Sequence, residues 1–224
     1  MIPLITGTDT DIGKTVATAF WAARSASRGN SVVIVKPVQT GLPPGVPGDA
    51  HDAARLAGLP SSAAVEFSRL PEPLAPTTAA RRAGISPLPV HECADRIAAL
   101  ERHHDHVIVE GAGGLLVGLD AEGGTLLGLA RHLRLRDAAP TTIVVARAGL
   151  GTLNHARLTC DAVRASGTAL AGLLIGAWPA SPGLAERCNR AEIAAFCSTP
   201  LLATLPEGLG NAPRTLRLLA ESSR

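Results

Sequence analysis

An α/β fold, one parallel sheet of about seven strands with helices on both faces, is what the sequence predicts for residues 1–224 as a single domain. Three observations carry this expectation. Short β-branched runs alternate along the chain with Ala/Leu/Arg-rich stretches of helical period. The runs SVVIVK (31–36) and HVIVE (106–110) are nearly continuous apolar segments, as strands covered on both faces require. No internal repeat and no linker divides the chain.

The elements follow in order. Residues 2–6 form a first strand. Residues 15–28 form a helix closed by Gly29 and Asn30, residue types that end helices. The second strand, 31–36, ends on Lys36, and a short helix over 49–57 stops at Gly58. Prolines at 60, 71, 73, 76, 87 and 89 mark irregular surface with short pieces. Residues 90–103 are helical. The strand 106–110 leads into a glycine-rich loop, Gly111-Ala112-Gly113-Gly114. Then come a helix (125–135), a strand (141–146), a helix (153–166), a strand (169–176), a helix (183–196) and a last strand (200–205).

Composition removes several classes of function. The mean hydropathy is +0.22. Even so, the longest apolar stretches are strand-sized, far from the ~18–20 residues of a membrane span. The N-terminus lacks the basic and long apolar regions of a signal peptide, so a cytoplasmic location is expected. Net charge is +2 with both signs scattered, and only 2% of residues are aromatic, which leaves no stacking platform for nucleic acid. Cys93, Cys160, Cys188 and Cys197 form no C-x-x-C pair and read as structural thiols. The tract His103-His104-Asp105-His106 reads as solvated loop at the far edge of the sheet, and Arg131, Arg134 and Arg136 as an exposed helix face.

Directly after the first strand stands Gly7-Thr8-Asp9-Thr10-Asp11-Ile12-Gly13-Lys14-Thr15, and a helix follows at once. Strand, loop and helix in that order make an anion cradle: loop N–H groups and the helix N-terminus point inward together. Gly13 allows close backbone approach, Lys14 reaches the β- and γ-phosphates, and the Thr15 hydroxyl can hold Mg2+. The first glycine stands one place earlier than in the strict pattern, with Thr8 where it would be. The sheet is therefore of P-loop NTPase type.

All but two of the 21 Lys and Arg residues are arginine, and the two lysines are Lys14 and Lys36. Where generic positive charge is written as arginine, a surviving lysine suggests a site needing a compact ammonium. Both are placed at C-terminal strand edges, where open parallel sheets bind ligands. Asp49 either caps its helix or ligates a metal at that edge. Glu110 ends an apolar strand beside the phosphate-loop strand, the usual place of a Mg2+-holding carboxylate. Gly149-Leu150-Gly151-Thr152-Leu153-Asn154-His155 opens a helix without lysine or acid. Its N–H groups suit a carboxylate better than a metal-bound triphosphate, unless it is a plain turn with a cap.

Taken together, GTDTDIGKT, VKPVQTG, the acid at 49, VEGAGG and LGTLNHA resemble the dethiobiotin synthetase family, in order and spacing, over nearly the whole chain. The resemblance implies ATP, or another nucleoside triphosphate, and Mg2+ acting on 7,8-diaminononanoate and CO2. It implies catalytic roles for Lys14 and Lys36. Thr10, Thr40, Gly111, Ala112, Gly113 and Gly114 would meet the substrate. Thr15, Asp49 and Glu110 would hold the metal. Nucleotide contacts fall on Asp11, Ile12, Gly13, Lys14, Thr15, Val16, Glu110, Gly176, Pro206, Glu207 and Gly208. Gly151, Thr152, Leu153 and Asn154 would reach the substrate carboxylate from the other subunit of a homodimer, so the site lies at the subunit interface. Many members place an asparagine that reads adenine where this chain has Gly176, so weak discrimination among bases is expected. The alternative is a P-loop partition or assembly-type ATPase switch. Members of that group carry an additional lysine early in the loop, where this chain has Thr8, Asp9 and Thr10.

Overall fold

The computed structural model describes residues 1–223. Its strands are β1 (Ile2–Gly7), β2 (Val32–Thr40), β3 (Ala64–Leu70), β4 (His106–Gly114), β5 (Pro140–Ala146), β6 (Ala169–Trp178) and β7 (Leu201–Pro206). They form one sheet in the order β3-β2-β4-β1-β5-β6-β7. Every pairing is parallel. The strand that opens the phosphate loop is therefore central, with both neighbours paired.

Alternate side chains of each strand leave by opposite faces. Ile5, Ile34, Ile108, Ile143 and Val145 meet α1 (Lys14–Ala26), α2 (Asp49–Ala57) and α8 (Pro213–Ser222) on one face. Leu4, Val33, Val35, Val107 and Val109 meet α4 (Val90–Glu101) and α5 (Leu126–Arg134) on the other. Val144 and Leu173 continue that second layer beneath α6 (Thr152–Ala165) and α7 (Leu184–Phe196). Each fully buried branched side chain contributes about 1.5–3 kcal/mol relative to exposure. The central strands thus form a rigid bed from which the loops at their C-terminal ends project.

Several boundaries differ from the sequence expectation, and the differences are physical. β2 does not end at Lys36 but runs on to Thr40. Its pairing with β4 stops at Val35↔Val109, whereas its pairing with β3 continues to Thr40↔Leu70. Pro37 lacks a donor and is tolerated because it stands where β2 has already parted from β4. Lys36 is consequently mid-strand, at the end of one ladder. The glycines after Glu110 are not a loop either: β4 continues through them and pairs Gly7↔Gly114 after a register shift.

The proline-rich stretch holds an edge strand, β3, and a helix, α3 (Pro76–Ala83). β3 reads AVEFSRL, charged and only partly buried, as edge strands commonly are. α8 was not visible in the sequence pattern. His103–Asp105 is loop as expected, with His103 and Asp105 exposed, but it also clasps the start of β2, and His106 begins β4. Asp105 accepts hydrogen bonds from Ser31 N and Oγ, and His106 Nδ1 meets Ser25 Oγ at 2.8 Å. Arg131 is exposed. The guanidinium of Arg134, by contrast, donates to the carbonyls of Ser166 and Gly167, and that of Arg136 to Asp95, His91 and His132. Cys93, Cys160 and Cys197 are buried, but Cys188 is exposed and so is not part of the packing. Among the described residues no helix is long and apolar enough to cross a membrane.

Candidate active site

The phosphate loop is shaped by three close approaches. Thr8 N donates to Val145 O at 2.9 Å, tying the loop to β5. Asp11 and Gly13 both have positive φ, 54° and 91°. Aspartate tolerates that region better than most side chains, which is the structural reason for Asp11. A Cβ on Gly13 would lie 2.4 Å from Gly176 O, and one on Gly176 would lie 2.1 Å from Ile12 O. The loop therefore packs backbone to backbone on the end of β6, and Gly176 is buried beneath it. The missing amide at 176 thus has a steric cause in this chain.

Lys14 Nζ donates to Asp9 O at 2.7 Å, and Arg147 pairs with the Asp9 carboxylate. Burial, reinforced by the nearby Lys36 ammonium, holds the Lys14 pKa below the ordinary lysine value. Lys36, 3% exposed, has all three N–H groups engaged. They meet Glu110 Oε1 at 2.8 Å, Asp49 Oδ2 at 2.6 Å and Gly111 O at 3.2 Å. Burial lowers the Lys36 pKa, but the Glu110 and Asp49 carboxylates outweigh it and hold the group above its ordinary value.

Glu110 is 1% exposed. Its Oε1 also accepts from Thr15 Oγ1 at 3.1 Å, while Oε2 is buried with no partner among the described residues. An orphaned buried carboxylate oxygen is costly unless a cation satisfies it. Thr15, Asp49 and Glu110 are oxygen donors of the kind Mg2+ takes, so the residues present fit that ion. Asp49 begins α2 but does not cap it; Gly48 occupies the cap position. The Asp49 N–H is instead held by Gln39 Oε1 at 2.8 Å. Gln39 is buried. Neither Gln39 nor Arg147 was found from sequence, because only the fold brings them to Asp49 and Asp9.

These groups open into a cleft of about 1120 Å³. Thr10, Asp11, Gly13, Lys14, Thr15, Val16, Lys36, Thr40, Asp49, Glu110, Ala112 and Gly113 all line it. Its apolar wall comes from Leu42, Val46, Leu74 and Val117. A smaller hollow of about 470 Å³ between Phe67 and Glu122 lies away from both lysines. Not every expected residue lines the cleft. Gly111 and Gly114, in β4, lie outside its lining. Pro206 ends β7, and Glu207 and Gly208 follow it in a turn; all three lie outside the lining, with Glu207 N bonded to Trp178 O at 2.8 Å. Gly151, Thr152, Leu153 and Asn154 also lie outside the lining, at the start of α6, beside Leu150, which is 81% exposed.

A phosphate loop with two buried lysines and a carboxylate holding one oxygen free defines a P-loop protein built to handle nucleoside triphosphate. Comparison with known proteins narrows the class. A family profile described as an AAA domain matches residues 3–210. An ATP-dependent dethiobiotin synthetase from Rhodococcus jostii is 53% identical over 212 residues, covering 93% of this chain and 87% of the relative. Another, from Streptomyces avermitilis, is 51% identical over 207 residues, covering 92% and 84%. Among solved structures, the cell division ATPase MinD of Pyrococcus furiosus aligns with a TM-score of 0.54 at 18% identity, covering 98% of this chain and 87% of that one. A ParA family ATPase from Chlorobium tepidum aligns with 0.57 at 14%, covering 99% and 90%. These structures share the fold alone. The chain belongs to the ATP-dependent dethiobiotin synthetase family.

Proposed function

We propose that this chain closes the ureido ring of dethiobiotin from 7,8-diaminononanoate, CO2 and ATP, as a C–N bond-forming cyclo-ligase of biotin synthesis. The observation that supports it most is the Asp49–Lys36–Glu110 ion triad against the phosphate loop, with Lys36 and Glu110 buried and Asp49 at its open side. One amine nitrogen adds to CO2 and loses a proton, giving a carbamate. A carbamate oxygen attacks the γ-phosphorus and ADP departs. The second amine attacks the carbamate carbon and loses a proton to solvent, and phosphate leaves with the oxygen it received.

The chain's contribution is positioning and charge. Lys14 exchanges its bond to Asp9 O for the transferring phosphoryl group. Lys36 has no free N–H, so it meets the carbamate by releasing a partner. Asp49, whose side chain is 36% exposed, is the partner that water can satisfy. Thr15, Asp49 and Glu110 would hold Mg2+, which neutralises charge on the phosphates. Thr10 and Thr40 bind the diamine and carbamate over the floor of Ala112 and Gly113. Asp11, Ile12 and Val16 flank the phosphates, and Gly176, Pro206, Glu207 and Gly208 border the base. With no side-chain amide at 176, discrimination among bases is weak. Gly151, Thr152, Leu153 and Asn154 complete the site of a second copy in a homodimer and receive the substrate carboxylate.

Phosphate release with MgATP and bicarbonate, with and without the diamine, together with mass detection of dethiobiotin, tests the reading. Release and ring product that both require the diamine support it. Diamine-independent hydrolysis without product returns the chain to the ATPase-switch alternative.

A further inference from the structure

The turn that leads from β5 into α6 is held from behind by two buried side chains. Asn189 on α7, 7% exposed, donates from Nδ2 to Ala148 O and to Gly149 O, both at 2.9 Å. Buried Thr152 donates from Oγ1 to Arg147 O at 2.7 Å. Three consecutive carbonyls, at 147, 148 and 149, are thus turned toward buried donors. The chain then enters α6 through Gly151, at φ 87°. The first N–H groups of any helix have no acceptor within it. An outward carbonyl beside them would repel an anion, whereas a turn with its carbonyls tied back presents donors.

We propose that Asn189 is a positioning residue for recognition of the substrate carboxylate. It holds the carbonyls of Ala148 and Gly149 away from the helix start, where the N–H groups of Gly151, Leu153 and Asn154 are not taken up by the turn; the N–H of buried Thr152 is itself bonded to Gly149 O at 3.4 Å. This rests on the reading of that turn given above. Asn189 does not touch the substrate. Its effect is on the charge pattern the turn displays.

The test compares the parent and Asn189→Ala on 7,8-diaminononanoate and on 2,3-diaminononane, in which a methyl replaces the carboxylate. The expected result in the variant is a KM about tenfold higher for the carboxylated diamine, with kcat and the nucleotide KM within about twofold. The KM for the neutral diamine stays at the parent value. Asn189→Ser keeps one donor and falls between the two, and it carries the test if the alanine variant folds poorly. An equal rise for both diamines, or a loss in kcat alone, makes Asn189 a packing residue and overturns the proposal. If the parent itself treats the two diamines alike, it is the carboxylate reading of the turn that fails, and the role of Asn189 falls with it.

Discussion

Lys36→Met removes a buried ammonium and keeps most of its stem volume. The structure sets what is left behind. Asp49 is partly exposed and returns to water, so losing that pair costs about 1 kcal/mol or less. Glu110 is buried, and its remaining donor is the Thr15 hydroxyl. A stranded buried charge typically costs about 3–5 kcal/mol. Protonation caps that cost. A glutamate of ordinary acidity, near 4.3, is neutralised at pH 7 for about 3.7 kcal/mol, and at pH 5 for about 1 kcal/mol. Lys36→Met is therefore destabilised by about 3–4 kcal/mol at pH 7 and by about 1–2 kcal/mol at pH 5. Urea unfolding at both pH values, with equal m-values, reads this directly. Lys36→Met/Glu110→Gln recovers most of the loss, because neither partner is then left charged and alone. Ring closure is abolished in both variants, which separates stability from activity. A single variant within about 0.5 kcal/mol of the parent at pH 7, or a loss that does not shrink at pH 5, refutes the reasoning.

Other outcomes follow from single contacts. Gly176→Ala drives a Cβ to within 2.1 Å of Ile12 O, so the phosphate loop must shift. Nucleotide KM rises at least tenfold in steady-state assays, and an unchanged value contradicts the packing described. His106 has its pKa lowered by burial and by the N-terminal ammonium, against Asp105, which raises it. The folded state therefore favours the neutral ring that meets Ser25 Oγ. Its contribution is complete above the unfolded value near 6.5 and is lost as pH falls through the lowered folded value. His106→Gln flattens the decline in Tm between pH 7 and pH 5, and a parallel decline counts against this account. Burial pushes the Cys93 thiol up to about 12 and the Cys197 thiol up to about 11, and Cys188 is exposed. A thiol-reactive dye on the native protein labels Cys188 quickly and the buried thiols only after denaturation; fast labelling of Cys93 is incompatible with its burial.

Local patterns carried much of this protein. The continuous apolar runs in SVVIVK and HVIVE, the glycines around Lys14, and two lysines among many arginines are sequence facts with direct physical consequences. They located the phosphate loop, both ammoniums and Glu110, because strand ends and loop glycines act within a few residues of themselves. The rest needed distance in sequence to become closeness in space. β3 was hidden because an edge strand covered on one side need not be continuously apolar. Lys36 was placed at a strand end because the ladder it leaves belongs to β4, more than seventy residues away. Gly176 had a reason only once Ile12 O lay against it. The grip of Gln39 on Asp49, of Arg147 on Asp9 and of Asn189 on the α6 turn has no sequence signal at all. Each is a polar group finding a partner that the packing of the sheet, not the spacing of residues, brings within hydrogen-bond reach.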